Sequence, residues 1–280
     1  RRLMRIDAHQ HFWDPARGDY GWLTPAMGRI HRTFAPADLA PLLARHRIDG
    51  TILVQAAPTV AETEYLLGLA DAAPFVKGVV GWVDFENKAD AAAIELLSGS
   101  AKLKGLRPMI QDIADDNWLL RPALRWAFDA LAERGLAFDA LTKPRHLKYL
   151  LRLADRHPRL RIVVDHGSKP SIKDEAFDDW ARDMAAVAVN TDAMCKLSGL
   201  VTEAGPDWTA GDLKPYVDHL LDVFGPRRLM FGSDWPVSLL AASYDRWLET
   251  AEALTATLDP AARAEIFGGT AARFYRLDSA

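Results

Sequence analysis

The chain alternates from end to end between short apolar runs and longer segments with helical spacing. The runs are Leu3–His9, Gly50–Ala56, Lys77–Trp82, Leu103–Arg107, Leu136–Ala140, Arg161–His166, Met194–Ser198 and Arg228–Asp234. Several, such as Ile52-Leu53-Val54 and Ile162-Val163-Val164, are apolar at every position. Strands buried on both faces have that composition, and they belong to parallel sheets, whose connections cross over through helices. The intervening segments supply the helices. Leu147, Leu150, Leu151 and Ala154 share one helical face after Pro144. Leu124, Phe128 and Leu131 do the same after Pro122, with Gly135 at the stop. Leu213, Val217, Leu220, Leu221 and Phe224 form a third stripe, closed by Gly225-Pro226.

Eight such strand–helix units in 280 residues match a (β/α)₈ TIM barrel, which typically takes about 250 residues. A doubly wound open sheet uses the same alternation but usually carries a glycine-rich first turn. Here the first strand runs into His9-Gln10-His11-Phe12-Trp13, without glycine, and no phosphate-cradling glycine motif follows any strand. No internal repeat, low-complexity tract or linker interrupts the pattern. The expectation is one α/β barrel domain over residues 1–280, with a long aromatic loop at about 12–33 over the barrel mouth.

Composition narrows the partners. A 49% hydrophobic, 26% charged chain can bury a substantial core. A net charge of −4 gives no electrostatic footprint for nucleic acid or anionic lipid. No run of about 18 apolar residues suggests a membrane helix. The start, Arg1 to Asp7, is basic without an apolar stretch behind it, so no signal peptide is read and a cytoplasmic location is expected. The single cysteine, Cys195, excludes an intrachain disulfide and a multi-thiolate zinc site, and reads as a small buried hydrophobe. Oligomeric state is left open.

In such a barrel the chemistry sits at the C-terminal ends of the strands. His9 and His11, two apart on the first strand, point to one face and can converge in the mouth as metal ligands or proton carriers. His166 ends the sixth run before Gly-Ser-Lys-Pro; Asp165 alternates away from it and reads as support. Asp234 ends the eighth run before Trp-Pro, placed to take a proton from water. On the fourth run, alternation puts Leu103, Gly105 and Arg107 on one face and Lys102 and Lys104 on the other. Arg107 can then hold a substrate carbonyl or carboxylate, with Gln111 just beyond it. Lys196, sharing a face with Ser198, reads as a substrate contact or a core-edge ion pair. Trp22 and Trp235, with Trp13, Tyr20 and Trp82, can wall a small polar ligand. His46, His146, His157 and His219 read as surface residues, and His31 stays open.

These motifs resemble the amidohydrolase superfamily: His-x-His on strand one, a histidine ending strand six, and Phe-Gly-Ser-Asp-Trp-Pro on strand eight. Ile6 to Trp13, Asp165 to Pro170, Cys195 to Leu200 and Gly268 to Arg273 are similar to its sugar-lactonase branch. The resemblance runs from Ile6 to about Tyr275. It implies a TIM barrel that hydrolyses a cyclic ester, with L-fucono-lactone or a similar aldonolactone as substrate. It maps His9, His11, His166 and Asp234 to the active site. Metal-rich members carry a bridging lysine or histidine near strands four and five. Here Lys104 turns outward on the alternation above, and Leu136 to Ala140 holds no histidine, so a two-metal centre is not expected. A single zinc on His9, His11 and Asp234, or no required metal, are the two remaining expectations; the second is favoured, since the branch contains metal-free members. Asp234 is expected to act as general base toward water, with the histidines and Arg107 polarising the carbonyl. The competing readings are a metal-dependent decarboxylase of the same superfamily and a catalytically silent sugar-binding barrel.

Overall fold

The computed structural model describes residues 4–277, so the Leu3 start of the first run lies outside the described residues. Eight parallel strands pair in chain order: β1 (Ile6–Gln10), β2 (Gly50–Val54), β3 (Val76–Gly81), β4 (Leu103–Leu106), β5 (Ala137–Ala140), β6 (Arg161–Val164), β7 (Met194–Leu197) and β8 (Leu229–Phe231). Between and after them come α1 (Pro36–His46), α2 (Val60–Ala72), α3 (Ala91–Leu97), α4 (Arg125–Arg134), α5 (Leu147–Arg156), α6 (Asp178–Asn190), α7 (Leu200–Glu203), α8 (Ala210–Phe224), α9 (Tyr244–Leu254), α10 (Pro260–Ala264) and α11 (Thr270–Phe274). This is the single-domain (β/α)₈ barrel that the alternation predicts. Phe128 and Leu131 are buried on α4, and Leu124 just before it. Leu213, Val217, Leu220 and Phe224 are buried on α8, with Leu221 half-buried. On α5, Leu147 and Leu150 are joined by Leu153, while Leu151 and Ala154 are half-buried. Gly135 closes α4 with a left-handed φ of 65°. Among the described residues no helix is long and apolar enough to cross a membrane.

The all-apolar runs follow from two cores, one on each face of the sheet. Leu53, Val79, Phe138, Val164, Leu197 and Phe231 pack outward under the helices. Ile6, Ala8, Ile52, Val54, Ala137, Val163 and Met230 fill the barrel floor, which Phe274 and Tyr275 plug from below.

Three register shifts interrupt the ladder, between β1 and β2, β2 and β3, and β3 and β4, and the first and last set the phase of the side chains above this floor. On β1, Asp7 pairs with Thr51 but Gln10 with Leu53, so three residues oppose two. Ala8 can then fill the floor while His9 and His11 face the mouth. On β4, Val79 pairs with Leu103 but Val80 with Gly105, leaving Lys104 as the extra residue. Strict alternation therefore fails there. Leu103 packs outward, and Lys104 turns into the floor beside Gly78 and Ile52, its Nζ donating to the Arg276 carbonyl at 3.4 Å. Beyond the bulge Arg107 returns to the interior, at the mouth end.

The barrel closes between β1 and the extension of β8. Asp234 N donates to the His9 carbonyl at 2.8 Å, and His11 N donates to the Trp235 carbonyl at 2.7 Å. Asp7 Oδ1 accepts from Ser233 N at 2.8 Å across the same seam. The seam thus fixes the two histidines against the aspartate through the backbone itself.

Candidate active site

Above the apolar floor lies a layer of fully buried charges. Lys196 Nζ contacts Asp139 Oδ2 at 2.6 Å, Asp165 Oδ1 at 3.2 Å and His9 Nδ1 at 3.2 Å. Tyr275 adds a hydrogen bond from its hydroxyl to Asp139 Oδ2 at 2.8 Å. Arg107 spans this layer and the next. Its Nε donates to Gln55 Oε1 at 2.7 Å, its Nη2 to the Gln55 carbonyl at 2.6 Å, and its Nη1 to Asp165 Oδ2 at 3.2 Å. Nη1 also lies 3.4 Å from His9 Nε2. The Lys196 and Arg107 cations, with His9, hold Asp165 well below the usual carboxylate range, against the opposing effect of its burial.

The top layer gathers the four residues read as catalytic. Asp234 Oδ1 stands 3.2 Å from His11 Nε2, 3.6 Å from His9 Nε2 and 3.8 Å from His166 Nε2. His9 and His11 meet Nε2 to Nε2 at 3.2 Å. His11 donates Nδ1–H to the Val54 carbonyl at 2.8 Å, which orients the ring with Nε2 facing Asp234. His166 Nδ1 is held by Ser198 Oγ at 2.7 Å. Burial pushes His166 down to about 4, so the ring is neutral near pH 7. Burial alone would raise Asp234; His166, the His11 hydrogen bond and His9 outweigh it and keep the carboxylate ionised well below its ordinary value.

Backbone geometry makes this packing fit. His166 and Asp234 both have left-handed φ, 55° and 53°, a region that costs a non-glycine residue energy and recurs at functional sites. Gly199 is required opposite His166, because a Cβ there would stand 2.5 Å from His166 Nδ1. At Gly232 a Cβ would come within 2.7 Å of the His9 Cβ.

His11, His166 and Asp234 open onto a cavity of about 340 Å³, while His9 is fully buried beneath them. Trp22, Met27, Val237 and Leu240 form an apolar wall, while Gln111, Asp112, Lys169, Thr202 and Glu203 offer polar groups. Trp22 and Met27 come from the 12–33 segment, so that segment contributes to the mouth. Arg107, Gln111 and Trp22 line the cavity as the sequence reading has it. Two other expected substrate contacts do not. Lys196 is 0% exposed beneath His9, and Trp235 packs edge-on against Phe12 and Phe34. Both follow a strand-end signal, but one stops a layer short of the mouth and the other turns outward into the aromatic core. Cys195 is free, buried and outside this site, its thiol pushed up by burial. His146 is buried rather than exposed, accepting from Lys143 N at 3.0 Å. Gln55, Lys169, Thr202 and Glu203 have no sequence signal except, for Gln55, a polar residue directly after an apolar strand.

The donor set of His9, His11 and Asp234 fits one divalent cation in spacing. Zn–N bonds of about 2.0–2.1 Å at tetrahedral angles separate two nitrogens by about 3.3 Å, close to the 3.2 Å found between the two Nε2 atoms. His166 with His9 and Asp165 forms a second such group. The two groups share His9.

Comparison with known proteins agrees with this geometry. A family model described as amidohydrolase matches residues 6–277. The chain is 48% identical over 279 residues to an L-fucono-1,5-lactonase of Burkholderia ambifaria, covering 98% of this chain and 96% of that one. It is 38% identical over 301 residues to an L-fucono-1,5-lactonase of Burkholderia multivorans, covering 98% and 96%. The crystal structure of a Burkholderia multivorans amidohydrolase with bound zinc superposes with a TM-score of 0.93 at 37% identity, over 98% of this chain and all of that one.

Proposed function

As the chain belongs to the amidohydrolase family, we propose that it opens L-fucono-1,5-lactone, or a close aldonolactone, with Asp234 as general base. It is a lactone hydrolase, in keeping with the two lactonase relatives that span nearly its whole length. The observation that carries the reading is one ionised carboxylate, two imidazoles and a guanidinium converging on a single cavity, with a third imidazole, His9, buried directly behind them.

Asp234 takes a proton from the attacking water as its oxygen bonds to the lactone carbonyl carbon. His9, His11, His166 and Arg107 surround the position where negative charge then develops on the carbonyl oxygen. Collapse breaks the bond to the ring oxygen, and Asp234 returns its proton to that oxygen, leaving an open-chain hydroxy acid. The apolar wall excludes bulk water from one face, and the polar wall meets the sugar hydroxyls. A divalent metal on His9, His11 and Asp234 would supply Lewis-acid polarisation when bound; every step above is carried by the protein's own groups.

Initial rates on L-fucono-, L-rhamnono-, L-galactono- and D-arabinono-lactones, before and after metal stripping, test this. L-Fucono-1,5-lactone is expected to give the highest kcat/KM, with activity kept after stripping. Turnover of none of the four, or activity lost on stripping and restored by zinc, would overturn the corresponding part.

The titrations add a pH prediction. His166 protonates near 4, while Asp234 stays ionised to lower pH still. Lowering the pH therefore adds a charge to His166 before it neutralises the base. The profile of kcat/KM is expected to be flat from pH 8 to about 5 and to fall with a midpoint near 4. A midpoint near 6.5, the ordinary imidazole value, would contradict it.

A further inference from the structure

We infer that Lys169 and Glu203 are the specificity-determining pair of this cavity: they hold one ring hydroxyl of the lactone between them, Lys169 donating to its oxygen and Glu203 accepting its proton. This role rests on the lactone reading and says how that substrate is told from its deoxy analogues. His166, Gly167, Ser168 and Lys169 all have left-handed φ, at 55°, 55°, 60° and 50°. Residues with side chains disfavour that region, which is ordinarily visited singly rather than in a run. Here the run is held from outside. Thr142 Oγ1 meets Ser168 Oγ at 2.9 Å, and Trp180 Nε1 donates to the Gly167 carbonyl at 2.7 Å. Lys169 N closes the turn on the His166 carbonyl at 2.8 Å. In so tight a turn residues three apart share a face, and both His166 and Lys169 line the cavity. The strained turn thus delivers a cation to the wall, one turn beyond a histidine of the site.

Glu203 reaches the same wall as the last residue of α7. Its Oε1 stands 3.9 Å from Lys169 Nζ, with the lysine and glutamate side chains 20% and 28% exposed. Among the described residues neither charged group makes a hydrogen bond. Ion pairs that only tie segments together close further, as Arg17–Asp19 does at 2.9 Å and Arg145–Asp116 at 2.7 Å. Burial pushes the Glu203 carboxyl above its ordinary value and Lys169 opposes this, so the carboxylate is short of donors. The gap fits one oxygen: two hydrogen bonds of about 2.8 Å meeting near a right angle span about 4 Å. A hydroxyl can accept from an ammonium and donate to a carboxylate at once. A hydrogen in its place would leave both charged groups without a partner on the lactone.

Steady-state rates on L-fucono-1,5-lactone and its 2-, 3- and 4-deoxy analogues test this. Wild type is expected to turn over one of the three with kcat/KM about 10²-fold below the parent, since a site built around a hydroxyl rejects the analogue that lacks it. The charge-balanced variant Lys169→Met/Glu203→Met is expected to lower kcat/KM for the parent by about the same factor, chiefly through KM. At that one position it is expected to bring the parent-to-deoxy ratio to within about threefold. A merely structural role would lower parent and analogues alike and leave the ratio at its wild-type value; that result would overturn the inference. So would a wild type that turns over all three analogues within about threefold of the parent, a measurement that needs no variant to fold. Should wild type open neither the parent nor any other aldonolactone, the lactone reading itself fails and the role of the pair falls with it.

Discussion

Asp234→Asn is expected to lower kcat for L-fucono-1,5-lactone by about 10³-fold, within the range for loss of a positioned general base. The fold should survive the change. Asn visits the left-handed region as readily as Asp, so the φ of 53° at this position is tolerated. The seam hydrogen bond from residue 234 N to the His9 carbonyl is a backbone bond and remains. The melting temperature should therefore move little while turnover collapses. Near wild-type kcat in the folded variant would remove Asp234 from the base role. A drop in kcat with KM nearly constant is the expected split, because in the proposed mechanism the carboxylate acts on the water rather than on the bound sugar.

Arg107→Lys is the second large effect, a loss of about 10²-fold in kcat, the scale reported for removal of one oxyanion donor. The guanidinium uses three nitrogens in a fixed fork: Nε and Nη2 on Gln55, and Nη1 on Asp165 and toward the cavity. A lysine keeps the charge beside Asp165 but cannot hold Gln55 and the carbonyl oxygen together. Lysine is preferable to alanine for this measurement. Truncation would leave Asp165 short of one buried cation, at a cost of about 3–5 kcal/mol, confusing catalysis with stability. Steady-state kinetics with a parallel thermal melt separate the two. Unchanged kcat in Arg107→Lys would assign carbonyl polarisation to the histidines alone.

Both predictions concern residues legible from the sequence, and the reason is local. A polar residue that ends a fully apolar strand has nowhere to go in a barrel except the mouth or the helix layer. His9, His11, His166, Asp234 and Arg107 all announce themselves in this way. The same signal also marked Lys196 and Trp235, which do not reach the cavity. Lys196 lies two residues before Ser198, roughly 7 Å lower at about 3.3 Å per residue. That is enough to move it from the cavity into the layer beneath His9. Lys104 shows the same limit in another form, since one extra residue in β4 reversed the face that alternation assigned to it.

Lys169 and Glu203, 3.9 Å apart on the polar wall, come from segments after different strands, and nothing in either segment announces the other. Gln55 becomes visible as a clamp only when Arg107 is laid across it from β4.

By itself, the sequence determined the barrel, through strands apolar on both faces separated by amphipathic helices. It also determined which chemical groups stand at the strand ends: imidazole, carboxylate and guanidinium, with the lone thiol outside the site. Only the tertiary structure decided the height of each group along the barrel axis, the phase imposed by the register shifts between strands, and the partners that surround each group. The physical reason is that side-chain periodicity is a property of one strand. Height, phase and partnership depend on the register between strands, which is set by contacts between residues far apart in the chain.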